Sequence, residues 1–247
     1  MPFSSLLKRK DDTWGTYFSF LRYSLLRRIH PRYREQYRLE ILVGPQGCWE
    51  QLKQYQFNIL TGLGLKPEHA LLDIGCGPLT VGIKLIPHLN SGNYVGVDLR
   101  PQPLVEGYRL IAKHALVQKN PTLIYSATFG KDELVGRSFD YIWLSQLSYH
   151  FDNKMMEDLF ALARSRMKPD SVFLFDVLDP ARTMAADAHW SGFSFHVRPF
   201  EYYAELANSF GFSVQSRGQI GDFGYPEHSS NLKTNLLLEV RVLPGKI

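Results

Sequence analysis

Apolar residues follow two rhythms along this 247-residue chain. In the N-terminal part the spacing is helical. Trp14, Phe18, Leu21, Leu25 and Ile29 recur at steps of four, three, four and four, one stripe of an α-helix. Arg22 and Arg28 flank the stripe, Arg27 lies opposite it, and Pro31 limits its extension. Residues 32–45 are charged and then turn-like (Gly44-Pro45, Gly47), which predicts a hinge. A second helix is expected over Gln46 to Leu63, with Trp49, Leu52, Ile59, Leu60 and Leu63 on one face and Gly62, Gly64 and Pro67 stopping it. Gln56 falls inside that stripe. A buried amide needs a partner: a ligand, which makes Gln56 a candidate substrate contact, or a neighbouring backbone group.

From residue 70 short apolar runs alternate with helical segments, the pattern of a parallel sheet covered on both faces. Ala70 to Ile74, Tyr94 to Asp98, Thr122 to Ala127, Phe139 to Ser145 and Ser171 to Leu178 read as five strands. Helices are expected over Leu79 to Leu89 and Gln102 to Lys119, along the Met156, Phe160, Ala163, Met167 face, and over Pro199 to Phe210, where Gly211 stands in the stop position. Phe212 to Gln215 and Leu236 to Val242 read as two last strands without a crossover helix, so they can pair antiparallel. The organisation is a helical cap over residues 1–65 on one α/β domain over residues 66–247.

Charge sharpens this division. Residues 1–40 hold nine basic and four acidic side chains, against nineteen and twenty in the rest of a chain of net charge +4. The body lacks the basic field of a nucleic-acid enzyme, so no nucleic acid partner is expected. The basic first helix can dock its stripe on its own domain or make a peripheral contact with an anionic membrane. Two cysteines, Cys48 and Cys76, exclude a disulfide framework and a four-cysteine zinc site. No apolar run approaches the roughly 18 residues of a membrane span, and Met1 to Asp12 does not read as a secretory signal. The expected location is cytoplasmic.

The chemistry is concentrated in Leu71-Leu72-Asp73-Ile74-Gly75-Cys76-Gly77-Pro78-Leu79-Thr80. Gly75 and Gly77, between a buried strand and a helix, allow a tight turn and a close backbone approach to a ligand. Asp98 ends the second strand, 23 residues after Gly75, where a carboxylate can receive two ribose hydroxyls. The pair points to an adenosine-containing ligand. A dinucleotide fingerprint requires a third glycine at Thr80, and the lysine of a phosphate-binding P-loop is missing. Asp73 beside the cleft would repel a pyrophosphate and attract a cation. S-adenosylmethionine, which carries a sulfonium and an ammonium, therefore fits better than NAD.

LLDIGCG at 71–77, YVGVDL at 94–99, FDYIWLSQLSYHF at 139–151 and MKPDSVFLFDV at 167–177 resemble the successive motifs of class I S-adenosylmethionine-dependent methyltransferases. The resemblance covers about residues 67–242. It implies a Rossmann-like open sheet of seven mostly parallel strands in order 3-2-1-4-5-7-6, the last antiparallel. It also implies that Asp73, Gly75 and Gly77 lie by the methionine part of the cofactor and that Asp98 and Leu99 lie by the ribose. The sequence departs from the family pattern twice. Leu79 replaces the usual third glycine, and Ser126 or Thr128 stands where an acidic residue often approaches the adenine.

Methyl transfer from a sulfonium chiefly needs an aligned nucleophile, and a base only where the acceptor keeps its proton. His150, beyond the fourth strand, is the candidate base, although in the family this position often serves structure. Ser145 and Gln146 at the same edge contact cofactor or acceptor. His189-Trp190-Ser191-Gly192-Phe193-Ser194-Phe195-His196 and the loop from Gly221 to His228 form a polar-aromatic substrate wall or a pair of satisfied surface loops. His189, Trp190, His196 and His228 are its candidate contacts. No metal is expected, since no His/Asp/Glu group has ligand spacing. The favoured reading is transfer to a small-molecule or sugar acceptor, more at oxygen than nitrogen. A non-catalytic binding protein on the same fold and a nicotinamide-dependent oxidoreductase are the alternatives.

Overall fold

A computed structural model describes residues 25–26, 28–43, 47–181, 189–190, 193–226 and 231–245. Its elements are α1 (Pro31–Val43), α2 (Trp49–Gly62), β1 (Leu71–Ile74), α3 (Gly82–His88), β2 (Tyr94–Asp98), α4 (Pro101–Lys113), β3 (Thr122–Tyr125), β4 (Phe139–Leu144), α5 (Asn153–Arg166), β5 (Met167–Val177), α6 (Phe200–Ser209), β6 (Phe212–Gln219) and β7 (Leu236–Val242). The seven strands form one sheet in the order β3-β2-β1-β4-β5-β7-β6. β1 to β5 are parallel, and β7 pairs antiparallel with both β5 and β6. His189–Trp190 and Phe193–Ser194 form a separate two-strand ladder.

The apolar runs bury both faces because successive side chains point to opposite sides of a strand. Leu71, Tyr94, Tyr141, Trp143 and Leu174 join one core with α2, α3 and α4. Leu72, Val95, Ile142, Phe173 and Phe175 join the other with α5 and α6. Helix α2 supplies Leu52, Tyr55, Ile59 and Leu60 to the first core, so its packing is continuous with the sheet.

The expected hinge at 32–45 is corrected. Residues 31–43 are helical, with Pro31 at the first helical position, where its missing N–H costs nothing. An apolar stripe does not hold α1, since only Leu39 and Glu40 are buried. Glu40 accepts from Gln36 Nε2 within the helix and from the N–H groups of Gly47 and Trp49 beyond it. Arg38 pairs with Glu106 at 3.0 Å, and Glu35 with Lys113 at 2.5 Å. Periodicity is blind to such polar anchoring. Of the N-terminal stripe, Trp14, Phe18 and Leu21 lie outside the described residues, and Leu25 and Ile29 are exposed.

Other boundaries move as well, and the strand expected to end at Gln215 runs on to Gln219. The helix expected from Leu79 starts at Gly82, because residues 76–81 are still turning and Leu79 holds φ 63°. That left-handed leucine stands where the resemblance puts a glycine. Its side chain is fully buried in space left by glycines, with Cδ2 and Cγ at 2.7 and 3.3 Å from Cβ atoms placed at Gly82 and Gly107. The helix expected to reach Lys119 ends at Lys113, before left-handed Ala115. Strand β5 begins at Met167, four residues early, because Met167 already pairs with Phe139.

Candidate functional site

The carboxyl ends of β1, β2 and β3 gather one group of residues. Val97 O accepts from Gly75 N at 2.7 Å and from Cys76 N at 3.1 Å, binding the loop after β1 to β2. Gly75 and Gly77 take φ 71° and 56°, strained for any residue with a Cβ. Asp98 is 6% exposed. Its Oδ2 accepts from Gly77 N at 3.0 Å and its Oδ1 from Arg100 N at 2.9 Å, so the loop and the carboxylate are one unit. Leu99 beside it is exposed. Ser126 N donates to Asp98 O at 3.0 Å, while Ser126 Oγ accepts from Gly130 N at 3.1 Å and lies 3.2 Å from Thr128 Oγ1. Two neighbouring elements close on the glycines. A Cβ at Gly75 would lie 1.9 Å from Leu147 Cδ1, and one at Gly77 2.7 Å from Val43 Cγ1. The end of α1 therefore rests on the loop, where Arg100 Nη2 also holds Leu42 O at 2.6 Å.

Asp73 is 3% exposed, and Tyr94 OH is its hydrogen-bond donor at 2.6 Å. Burial raises its pKa to about 7, with the Asp98 charge adding to the rise against the Tyr94 bond. No cation pairs with it among the described residues. An uncompensated buried carboxyl beside a second carboxylate favours a ligand that brings positive charge, and Asp98 suits a diol. The residues present therefore fit S-adenosylmethionine: Gly75, Gly77 and Asp73 would hold its charged end, and Asp98 and Leu99 its nucleoside.

A second group forms at the ends of β4 and β5. Ser145 Oγ lies 2.9 Å from Tyr55 OH, and Gln146 Nε2 donates to that hydroxyl at 3.5 Å. His150 packs against Tyr149 and Phe195, with ring centroids 4.8 and 4.9 Å apart. Burial, then the neighbouring His196, lowers its pKa to about 4, so the imidazole is neutral at pH 7. His196 is half-buried, and its main-chain N–H donates to Tyr149 O at 2.7 Å. The side chains of His189 and Trp190, and all of His228, lie outside the described residues. Gln56 does not join this group. Its Oε1 accepts from Trp143 Nε1 at 3.0 Å inside the core, a side-chain partner instead of a backbone one.

Sequence reasoning missed Tyr55, Tyr149, Asp176 and Asn235, and singled out Tyr225 only as part of the Gly221 to His228 loop. Burial raises the pKa of the Tyr55, Tyr149 and Asp176 side chains, and Tyr225 stacks edge-on against Tyr55 at 5.1 Å. One signal was available: Asp176 is a carboxylate inside the apolar run SVFLFDVL, just as Asp73 is inside LLDI.

Residues 72–173 match the family model of a methyltransferase domain. No curated protein matches the chain in sequence. Among solved structures the fold resembles an S-adenosylmethionine-dependent methyltransferase from Clostridium acetobutylicum, at 12% identity and TM-score 0.59, covering 94% of this chain and 100% of that one. It also resembles magnesium protoporphyrin IX methyltransferase from Synechocystis PCC 6803 with bound SAH, at 13% identity and TM-score 0.59, covering 93% and 95%. The CcbJ methyltransferase from Streptomyces caelestis aligns at 14% identity and TM-score 0.61, covering 81% and 91%. At such identities the likeness speaks for the fold.

Proposed function

We propose that the chain is a class I S-adenosylmethionine-dependent methyltransferase that methylates a small, neutral, hydroxyl-bearing acceptor on oxygen, a reading supported by the match of residues 72–173 to a methyltransferase domain and by the resemblance in fold. The cofactor supplies a methyl group already activated on a sulfonium. The chain's own residues would hold it, with Asp98 receiving ribose hydroxyls and the Gly75–Gly77 loop allowing its close approach to the backbone. At the acceptor side, Tyr55, Ser145 and Gln146 offer uncharged hydroxyl and amide groups beside the Tyr149, His150 and Phe195 rings. His150 is neutral at physiological pH and can accept the acceptor's proton, but a pKa of about 4 makes it a weak base, so alignment of the acceptor carries most of the step.

One observation carries oxygen over nitrogen. The carboxylate of this edge, Asp176, already accepts from Gln146 N at 2.6 Å and from Asn235 Nδ2 at 2.8 Å. At 1% exposure it presents no anionic surface to draw in an amine, which would arrive as its ammonium and lose a proton before reacting. No helix among the described residues is long and apolar enough to cross a membrane. Contact of the basic N-terminal segment with an anionic membrane surface stays part of the proposal, supported by exposed Leu25 and Ile29 beside Arg28.

The test is incubation of the protein with methyl-deuterated S-adenosylmethionine and a metabolite extract of the source cell, followed by fragmentation mass spectrometry. An O-linked deuterated methyl on a small molecule is expected. A label on nitrogen or on a macromolecule overturns the acceptor. Binding of the cofactor with no product in any extract points to a non-catalytic protein.

A further inference from the structure

The turn after β4 is held by a carboxylate that takes no part in the proposed chemistry. Gln146 has φ 58°, a left-handed backbone that a side-chain-bearing residue keeps only when its surroundings enforce it. Asp176, at the far end of β5 and 1% exposed, provides the enforcement. Its Oδ1 accepts the Gln146 N–H at 2.6 Å, and its main-chain carbonyl accepts the Ser148 hydroxyl. Asn235, just before β7, donates to Oδ2 at 2.8 Å and so fixes the plane of the carboxylate. Two points of the turn are thereby pinned to one residue. The residue between them, Leu147, lies on Gly75 of the cofactor loop. Ser145 and the Gln146 side chain face Tyr55.

We infer that Asp176, braced by Asn235, is the positioning residue of the methyl-transfer edge. It fixes the Ser145–Ser148 turn in the arrangement that sets Leu147 against the cofactor loop and turns Ser145 and Gln146 to the acceptor. The assignment of those two sides rests on the function proposed above; the hold of Asp176 on the turn does not. Asp176 acts through the Gln146 backbone, because at 1% exposure it is sealed inside the protein with both oxygens bonded there. The antiparallel end of the sheet thus governs the geometry of its parallel centre.

Four forms of the full chain test this: wild type, Asp176→Ala, Asn235→Asp, and the double exchange Asp176→Asn/Asn235→Asp. In the double exchange the new amide keeps an oxygen for the Gln146 N–H and turns its NH2 to the new carboxylate. The hydrogen bonds survive while the charge moves to position 235. The readouts are calorimetric titration with S-adenosylhomocysteine, amide hydrogen exchange over residues 145–148, and thermal melting. Asp176→Ala is expected to weaken binding and to speed exchange in the turn, each by at least about tenfold. Asn235→Asp sets two carboxylates face to face, and its binding should recover as the pH falls and they share a proton. The double exchange should return both readouts to within about threefold of wild type. The inference is overturned if exchange in the turn is unchanged by Asp176→Ala, or if the double exchange melts like wild type yet binds as poorly as the single variants. Should Asp176→Ala fail to fold, Asn235→Asp and the double exchange decide the matter. Failure of the functional reading looks different: wild type would not bind S-adenosylhomocysteine, while exchange in the turn still followed the substitutions.

Discussion

Tyr94 donates its hydroxyl to Asp73 across 2.6 Å, joining β2 to β1 beneath the glycine loop. This single bond is what a buried carboxyl receives in place of water, and it does not offset the loss. Asp73 is left with a pKa of about 7, raised by burial. A carboxyl whose folded-state pKa lies above its unfolded value holds its proton longer in the native state. Its stabilising effect is full at low pH and is lost as the pH rises from about 4 to about 7, on the order of 4 kcal/mol for a shift of this size. Asp73→Asn should therefore flatten that part of the stability profile, measured as the difference from wild type in urea titrations. A cationic ligand should also expel the proton. Calorimetry near pH 7 in buffers of different ionisation enthalpy should detect proton release on S-adenosylmethionine binding, and Asp73→Asn should abolish it.

Asp98 accepts Gly77 N and Arg100 N and keeps further lone pairs for a diol. Charge-assisted hydrogen bonds contribute about 1.5–3 kcal/mol each. Asp98→Ala should weaken S-adenosylhomocysteine binding by at least about 100-fold in a calorimetric titration. An unchanged affinity would remove the ribose from this carboxylate.

His150 is held neutral by burial and by His196. Its folded-state pKa, about 4, lies below its ordinary 6.5. The associated stability is present above about pH 6.5 and is lost as the pH falls towards 4. His150→Ala should remove that acid sensitivity from the melting curve. If His150 is the base, the acid limb of methyl transfer should lie near pH 4 in wild type, and its disappearance in His150→Gln would identify the group. A limb at 6.5 that survives the substitution would assign proton removal elsewhere.

Gln56 and Trp143 form a buried polar pair between α2 and β4. Gln56→Leu leaves the indole N–H without an acceptor, a loss of about 1–3 kcal/mol. For a chain of this length that corresponds to a melting temperature lower by roughly 2–4 °C per kcal/mol. Scanning calorimetry checks it, and an undiminished melting temperature would mean that the pair contributes nothing.

Much of the candidate site could be read along the chain because its parts are local. Gly75 and Gly77 follow β1 directly, and Asp98 ends the next strand. Parallel pairing then places their ends side by side, so spacing alone implied proximity. Asp176 and Asn235 gave no such signal. They are 59 residues apart and meet only because β7 runs antiparallel beside β5, and Asp176 reaches Gln146, 30 residues before it, across the β4–β5 pair.

What the sequence by itself determined was the set of elements that bury apolar surface. Period and run length decide whether a segment can cover a core, and β1, β2, β4 and β7 follow from that alone. Tertiary structure decided wherever a polar group finds its partner far along the chain. Helix α1 exists because Glu40 reaches Gly47 and Trp49 and because Arg38 reaches Glu106. Leu79 can turn left-handed because Gly82 and Gly107 leave room for its side chain. Gln56 is satisfied by an indole 87 residues away. Burial of apolar area is additive and non-directional, so it leaves a mark in local composition. A hydrogen bond or an ion pair depends on the distance and angle between two atoms, and only the folded chain sets those.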